Sequence, residues 1–258
     1  PAMIRGVRLL ETSMSSLLAR QEVLARNVAN FLTPGYKQED TGVDDFSAAV
    51  ARVEQLSRGA TVAGVGAASL GSIISDEFND RVNVDFRQGD HQQPDRDLDV
   101  ALVGDGFLQV RTGTGLFFSR GGTLYRDALG RLVTAEGYWV QGPEGDVVVG
   151  EGALSIADDG AISVDGEPAG RLSILEFEPG TLLAKMGEGL YTPVDPTVAP
   201  REAVGTTVKQ GYLEGSNVDR VAVLSEMVWL VRAYQASQRM LVAQDELLGK
   251  AVNEVGRL

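Results

Sequence analysis

Apolar residues recur every three or four positions at the two ends of the chain and every second position between them. From the N-terminus, Val7, Leu10, Met14, Leu17, Gln21, Leu24 and Val28 alternate steps of three and four, the spacing of one seam along a helix. Leu9, Leu18 and Ala25 add apolar surface beside that seam, so the helix is apolar on more than one side. At ~1.5 Å per residue, residues 4–30 make a helix roughly 40 Å long. It ends near Asn30, because Thr33 precedes Pro34, which disfavours helical geometry, and Gly35 lets the chain turn.

The C-terminal segment has the same character. Ser216 and Asp219 stand in capping-box spacing, which predicts a helix start. Val223, Met227, Leu230, Tyr234, Ser237, Leu241, Gln244, Leu248, Val252 and Val255 then step by four and three. A second row, Val221, Leu224, Val228 and Val231, widens the apolar face. From Asn217 to Val255 the predicted helix spans about 60 Å. A helix this long and this apolar needs partners to be stable in water.

Between the helices the period is two. Residues 97–142 alternate in short runs, broken by Gly-rich turns at 112–115, 121–122 and 127–130, and Asp159-Gly160 and Asp165-Gly166 read as hairpin turns. Residues 76 to 210 are therefore predicted to form one antiparallel β domain, preceded at 38–75 by a small-residue-rich, semi-extended connector. The expected fold is α+β and mainly β. An N-terminal helix and turn (1–37) and a C-terminal helix (211–258) flank the inserted β domain.

Charge changes this picture by telling the regions apart. The chain of 258 residues carries −13, but residues 1–37 carry +3, residues 218–258 are neutral, and 38–217 hold −16. An acidic middle opposes polyanions, so nucleic acid is not an expected partner. The ends are expected to meet protein and the middle to meet water. No run approaches the ~18 continuous apolar residues of a membrane span, and the charged N-terminal segment does not read as a cleavable secretory signal. With no cysteine and one histidine, His91, thiol chemistry, Cys metal sites and most Ser-His-Asp arrangements lack material, and neither a cofactor nor a catalytic centre is expected.

Three stretches resemble the flagellar hook–basal-body family, specifically its rod subunits. Asn27-Val28-Ala29-Asn30 with Thr33-Pro34-Gly35-Tyr36-Lys37 is similar to the family's N-terminal signature. Gln88-Gly89, Leu98-Asp99 and Gly104-Asp105-Gly106-Phe107, continued by Gly130-Arg131-Leu132-Val133-Thr134, resemble its central core. The segment Gly211 to Asp219, which contains Leu213, Glu214, Ser216, Asn217 and Val218, resembles its C-terminal signature, with Glu226-Met227 and Arg232-Ala233-Tyr234 beyond it. Arg26, Tyr36 and Ser237 depart from the family's common choices of Asn, Phe and Asn.

The resemblance implies a structural subunit of the flagellar basal body that assembles with itself and with neighbouring rod and hook subunits into a hollow axial tube. It also implies passage through the flagellar type III export apparatus without a cleaved signal, and contact with the surrounding rings. Under it, Val7, Leu10, Met14, Leu17, Leu24, Val28, Val223, Met227, Leu230, Arg232, Tyr234, Leu241 and Leu248 are the expected subunit-interface residues.

Plainer readings compete with several of these expectations. The apolar stripes also suit a helical hairpin core within one chain. Arg232 and Tyr234 belong to residue types enriched at interface hot spots, and equally to ordinary helix surface. Asp95, Asp97 and Asp99 alternate as they would on one face of a strand, but without EF-hand spacing they read as a solvated turn entering a strand. "RTGTG" at 111–115 lacks the Lys-Ser/Thr ending of a phosphate loop and reads as a hairpin turn. A secreted β-rich carbohydrate-binding or hydrolytic module with helical oligomerisation arms is the rival from another class. It needs an aromatic platform or a carboxylate pair that the sequence does not display.

Overall fold

The computed structural model describes residues 2–41, 82–94, 96–187 and 189–255; side chains are described except at 2–12, 248 and 251–255. The protein is mainly β, with two helices. Helix α1 (Ala2–Asn30) ends where the sequence predicts. Thr33 N donates to Asn30 O at 3.0 Å, and Gly35 takes a positive φ of 71°, the conformation only glycine adopts at little cost. Helix α2 (Arg220–Val255) begins three residues later than expected. The capping-box expectation is corrected here: Asp219 is the N-cap, its Oδ1 accepting from Val221 N at 3.0 Å and Ala222 N at 3.1 Å, while Ser216 Oγ takes only Val218 N. A carboxylate is the stronger cap, because it also faces the positive end of the helix dipole.

The chain divides into two compact units. One comprises residues 1–29, 39–83 and 219–258, and the other residues 30–38 and 84–218. In the helical unit Val23, Leu24, Val223 and Leu230 are buried, and Arg20 of α1 is ion-paired with Glu226 of α2. The strand Glu39–Thr41, in the region expected to be connector, pairs with Val82–Val84. The rest of the expected connector, 42–75, lies outside the described residues.

The β unit is built on a twelve-stranded sheet. Its main path runs Leu183–Gly187, Leu190–Pro193, Leu116–Ser119, Phe107–Arg111, Trp139–Gly142, Leu132–Thr134, Gly121–Arg126, Asp99–Val103 and Thr207–Gln210. The pairings along it are antiparallel. Successive side chains of a strand point to opposite faces. Leu108 and Val110 therefore join Val100, Leu124, Leu132 and Val140 in one core. Phe107 joins Phe118, Leu183 and Tyr191 in a second, where Phe86 and Phe177 add edge-to-face ring contacts with centroids 4.8–5.8 Å apart.

A three-stranded sheet, Leu154–Ile156, Ala161–Val164 and Glu167–Arg171, contributes Leu154, Ile156 and Ile162 to the first core. Its Asp165-Gly166 turn has φ of 53° and 87°, the two positive values that a type I′ hairpin requires. One expected turn is not there: Gly121 and Gly122 lie inside the strand Gly121–Arg126. A Cβ on Gly121 would stand 2.5 Å from Val100 O, so this glycine serves the close approach of a neighbouring strand instead of a chain reversal.

Candidate functional site

The signature segment after α1 folds into the β unit. Lys37 has no exposed surface, and its Nζ donates to Glu214 Oε1 at 2.6 Å, to Arg87 O at 2.8 Å and to Phe86 O at 3.4 Å. Glu214 Oε1 also accepts from Gly89 N at 3.0 Å, and its Oε2 lies 3.6 Å from the Arg120 guanidinium. Arg120, 2% exposed, donates to Gly106 O at 2.5 Å and Gly104 O at 2.7 Å. One carboxylate thus sits between two cations that also donate to backbone carbonyls, which is the arrangement that lets buried charge persist, although Arg120 Nε and Glu214 Oε2 make no hydrogen bond. Burial pushes the Lys37 ammonium below its ordinary range, and the hydrogen bond and charge of Glu214 oppose that push.

This cluster gives the three sequence signatures a physical role. Gly35 N donates to Glu214 O at 2.7 Å, and Tyr36 is buried with the Lys185 ammonium 3.5 Å from its ring centroid. Gly89 admits no side chain, since a Cβ there would lie 2.1 Å from Gly215 O. At Gly106 a Cβ would meet Thr206 and Ile174 within 3.0 Å. Phe107 packs in the second core, and the Arg120 guanidinium carbon lies 5.3 Å from its ring centroid.

Two asparagines stand in for backbone. In the β unit Asn217 Oδ1 accepts from Gln38 N at 2.7 Å, while its Nδ2 donates to Asp85 O at 2.7 Å and Arg87 O at 2.9 Å. In the helical unit the fully buried Asn27 donates to Glu39 O at 2.7 Å and accepts from Glu39 N at 2.9 Å, as a neighbouring strand would. The side chain of Glu39 is ion-paired with Arg26 at 2.7 Å. Thr33 Oγ1 reaches Asn30 Oδ1 at 3.3 Å, Ala29 is exposed, and Leu213 pairs with Gln92. Of the cluster, sequence reasoning singled out Lys37 and Glu214 and missed Arg120; an arginine between Ser119 and Gly121 carries no local pattern that marks it.

The expected interface residues fall into different environments. Leu24, Val223 and Leu230 are buried within this chain, Met14, Leu17, Val28, Met227, Tyr234 and Leu241 are part-buried, and Arg232 is exposed. The side chains of Val7, Leu10 and Leu248 lie outside the described residues. The second row of α2 carries the uncovered apolar surface: Val221 is 72% exposed and Val228 53%, with Leu224, Trp229 and Val231 also open to solvent.

Among the described residues no group of three or more His, Asp or Glu could hold a metal, and no helix is long and apolar enough to cross a membrane. Asp99, from the expected solvated turn, is instead fully buried at the start of the strand Asp99–Val103.

The chain is similar over most of its length to proteins of one family. A family model described as the flagellar basal body rod FlgEFG protein C-terminal matches residues 209–254, and one described as the flagellar hook protein FlgE/F/G D1 domain matches residues 101–164. The flagellar basal-body rod protein FlgF of Escherichia coli K12 is 32% identical over 252 residues, covering 92% of each chain. The flagellar basal-body rod protein FlgG of Bacillus subtilis is 29% identical over 265 residues, covering 97% of this chain and 99% of the relative. FlgG of Agrobacterium fabrum is 28% identical over 257 residues, covering 95% and 97%. The buried Lys37–Glu214 pair joins the first of the sequence signatures to the last, and by its similarity to these relatives the chain belongs to the flagellar basal-body rod protein family.

Proposed function

We propose that the chain is a structural subunit of the bacterial flagellar basal-body rod and that it performs no catalysis. In this reading α1 and α2 are terminal helices that pack with those of neighbouring rod and hook subunits into the axial wall. The β unit is an insertion between them in the chain. The export apparatus delivers the chain, and the surrounding rings are further partners.

The observation that carries the reading is the two-sided character of α2. Its seam through Val223 and Leu230 is covered within the chain, while Val221, Leu224, Val228 and Val231 beside it are open to water. A run of exposed aliphatic side chains along several turns of one helix is surface that a second chain covers. The carbohydrate-binding alternative has no comparable support.

The test is Val228→Asp in the full chain. The purified variant should keep the parent's helicity and melting temperature, while cells that carry it should lack a complete rod, hook and filament. Normal swimming by those cells would remove the helix face from the assembly and the proposal with it.

A further inference from the structure

Three short segments of the β unit, residues 35–38, 85–92 and 213–217, lie far apart in the chain and are bonded to one another. Gly35 N donates to Glu214 O at 2.7 Å, Asp85 N to Gln38 O at 2.8 Å and Gly215 N to Asp90 O at 2.7 Å. The strands His91–Gln92 and Leu213–Glu214 pair as a two-stranded sheet of their own, apart from the twelve-stranded one. Two side chains tie the third segment to the other two. Asn217 bonds Gln38 N, Asp85 O and Arg87 O, and the Glu214 carboxylate takes Lys37 Nζ and Gly89 N.

The joint between these segments and the large sheet is of another kind. Arg120, between the strands Leu116–Ser119 and Gly121–Arg126, stands 3.6 Å from Glu214 Oε2, which makes no hydrogen bond. Its own bonds to Gly104 O and Gly106 O do not depend on Glu214. Gln88 donates to Leu102 O, and Phe86 packs edge-to-face on Phe107 and Tyr191. The sheet itself is held by aliphatic burial, with Val100, Leu102, Val110 and Val140 wholly covered. A buried ion pair, by contrast, returns little more than the hydration its charges gave up. Releasing Lys37 and Glu214 restores that hydration, so these segments separate from the sheet at a lower free energy than the sheet unfolds.

We infer that the three segments form a clasp, one cooperative unit that opens and closes while the twelve-stranded sheet stays folded. Its place in the chain gives the opening a consequence. The chain passes between the two compact units at 29–30, 38–39, 83–84 and 218–219. The last three passages adjoin clasp segments, and the first leads into residues 35–38. An open clasp leaves these passages untethered to the sheet while both units remain folded. The device is separate from the assembly face of α2, and it is a property of the isolated chain.

The experiment is amide hydrogen exchange on the full chain, read residue by residue by nuclear magnetic resonance under conditions where reclosing outruns exchange. Gly35, Gln38, Asp85, Gly89 and Gly215 report on the clasp, because each N–H is hydrogen-bonded within it. The amides of Phe107–Arg111 and Trp139–Gly142 report on the sheet. In the parent chain, exchange of the clasp amides should rise less steeply with added denaturant than exchange of the sheet, since a smaller opening exposes less surface.

Two variants separate the openings. Val140→Ala leaves a cavity in the sheet's core and should speed sheet exchange by about tenfold. The clasp amides should stay within about twofold of the parent, because Val140 remains packed when only the clasp is open. Asn217→Ala removes the bridge and should speed all five clasp amides by one common factor of about tenfold, including Gly35, Gly89 and Gly215, whose bonds Asn217 does not make. Clasp amides that speed up with the sheet in Val140→Ala would mean that the clasp opens only by global unfolding. Unequal factors in Asn217→Ala would mean three independent segments. Either result, or equal denaturant dependence of the two sets in the parent, overturns the proposal and leaves the outcome for Val228→Asp untouched.

Discussion

Lys37 Nζ lies 2.6 Å from Glu214 Oε1, although 177 residues separate the two in the chain and neither side chain reaches solvent. Removing one partner of such a pair leaves an uncompensated buried charge, at a cost of about 3–5 kcal/mol. Lys37→Met and Glu214→Gln should each lower stability by roughly that amount in denaturant unfolding. The double variant should cost less than the sum, because the second change removes a charge that the first left stranded. Strict additivity would mean that the two groups are not coupled.

The asparagine clamps give a second test. Asn27→Ala leaves both the N–H and the C=O of buried Glu39 without the partner that Asn27 supplies, and each unsatisfied group costs about 1–3 kcal/mol. Asn27→Asp should be no better, since it replaces a donor facing Glu39 O with an acceptor. A melting temperature equal to the parent's for either variant would show that the amide is not holding Glu39.

These two sites show what the sequence could and could not say. The three-four rhythm of Val223, Leu230 and Leu24 was legible because burial on a helix repeats locally, and those residues are buried. The chain reversals at 112–115 and 165–166 were legible because turn chemistry is local too. The burial of Lys37 and Arg120 was not: lysine and arginine are ordinarily exposed, and only partners brought from far along the chain let them be buried. Gly121 read as a turn because sequence alone cannot separate a glycine that bends the chain from one that admits a neighbouring carbonyl. Family resemblance marked Asn27, Lys37 and Glu214 but gave no reason for them; the hydrogen bonds supply it.

Glycine substitutions separate the two uses of that residue. In Gly89→Ala the new Cβ would stand 2.1 Å from Gly215 O, so backbone has to move. The same shift disturbs the bond from Gly89 N to Glu214. The loss should be about 2 kcal/mol or more, comparable to overpacking a core. At Gly113 nothing lies within 4 Å and φ lies outside the left-handed range, so Gly113→Ala should change stability by less than about 0.5 kcal/mol. Chemical denaturation of both variants decides the point, and equal effects would discount the contact at Gly89.

Acid should weaken the β unit through its paired aspartates. Hydrogen bonds from Arg87, Arg111 and Thr197 hold Asp85, Asp146 and Asp195 below the ordinary value of 3.8, and the backbone of Arg131 does the same for Asp127. A carboxyl depressed in the folded state contributes stability that is complete above its unfolded value, and loses it as pH falls through the folded one. Denaturation midpoints should therefore be flat in this respect above about pH 5 and fall toward pH 2. Asp146→Asn should be less stable than the parent at neutral pH and should show a shallower decline in acid. A parallel decline would remove Asp146 from the account.

Helix α2 offers two leucines, six residues apart, for which the structure predicts opposite phenotypes. Leu230 is 1% exposed and Leu224 44%. A charge at Leu230 has to be buried without a partner or force its stretch of helix to open, at roughly 3–5 kcal/mol. Leu230→Asp should therefore lower helicity in far-ultraviolet circular dichroism and the melting temperature of the isolated subunit. Any failure to assemble in cells would follow from that damage. Leu224→Asp puts its charge into water in the isolated chain, so helicity and melting should match the parent while rod assembly fails. From sequence alone the seam through Leu230 was the expected intersubunit contact and the row through Leu224 only widened the apolar face; burial within the single chain tells the two apart. Equal losses of stability in the two variants would mean that the second row is covered inside the subunit, and assembly would then have to be sought on another face.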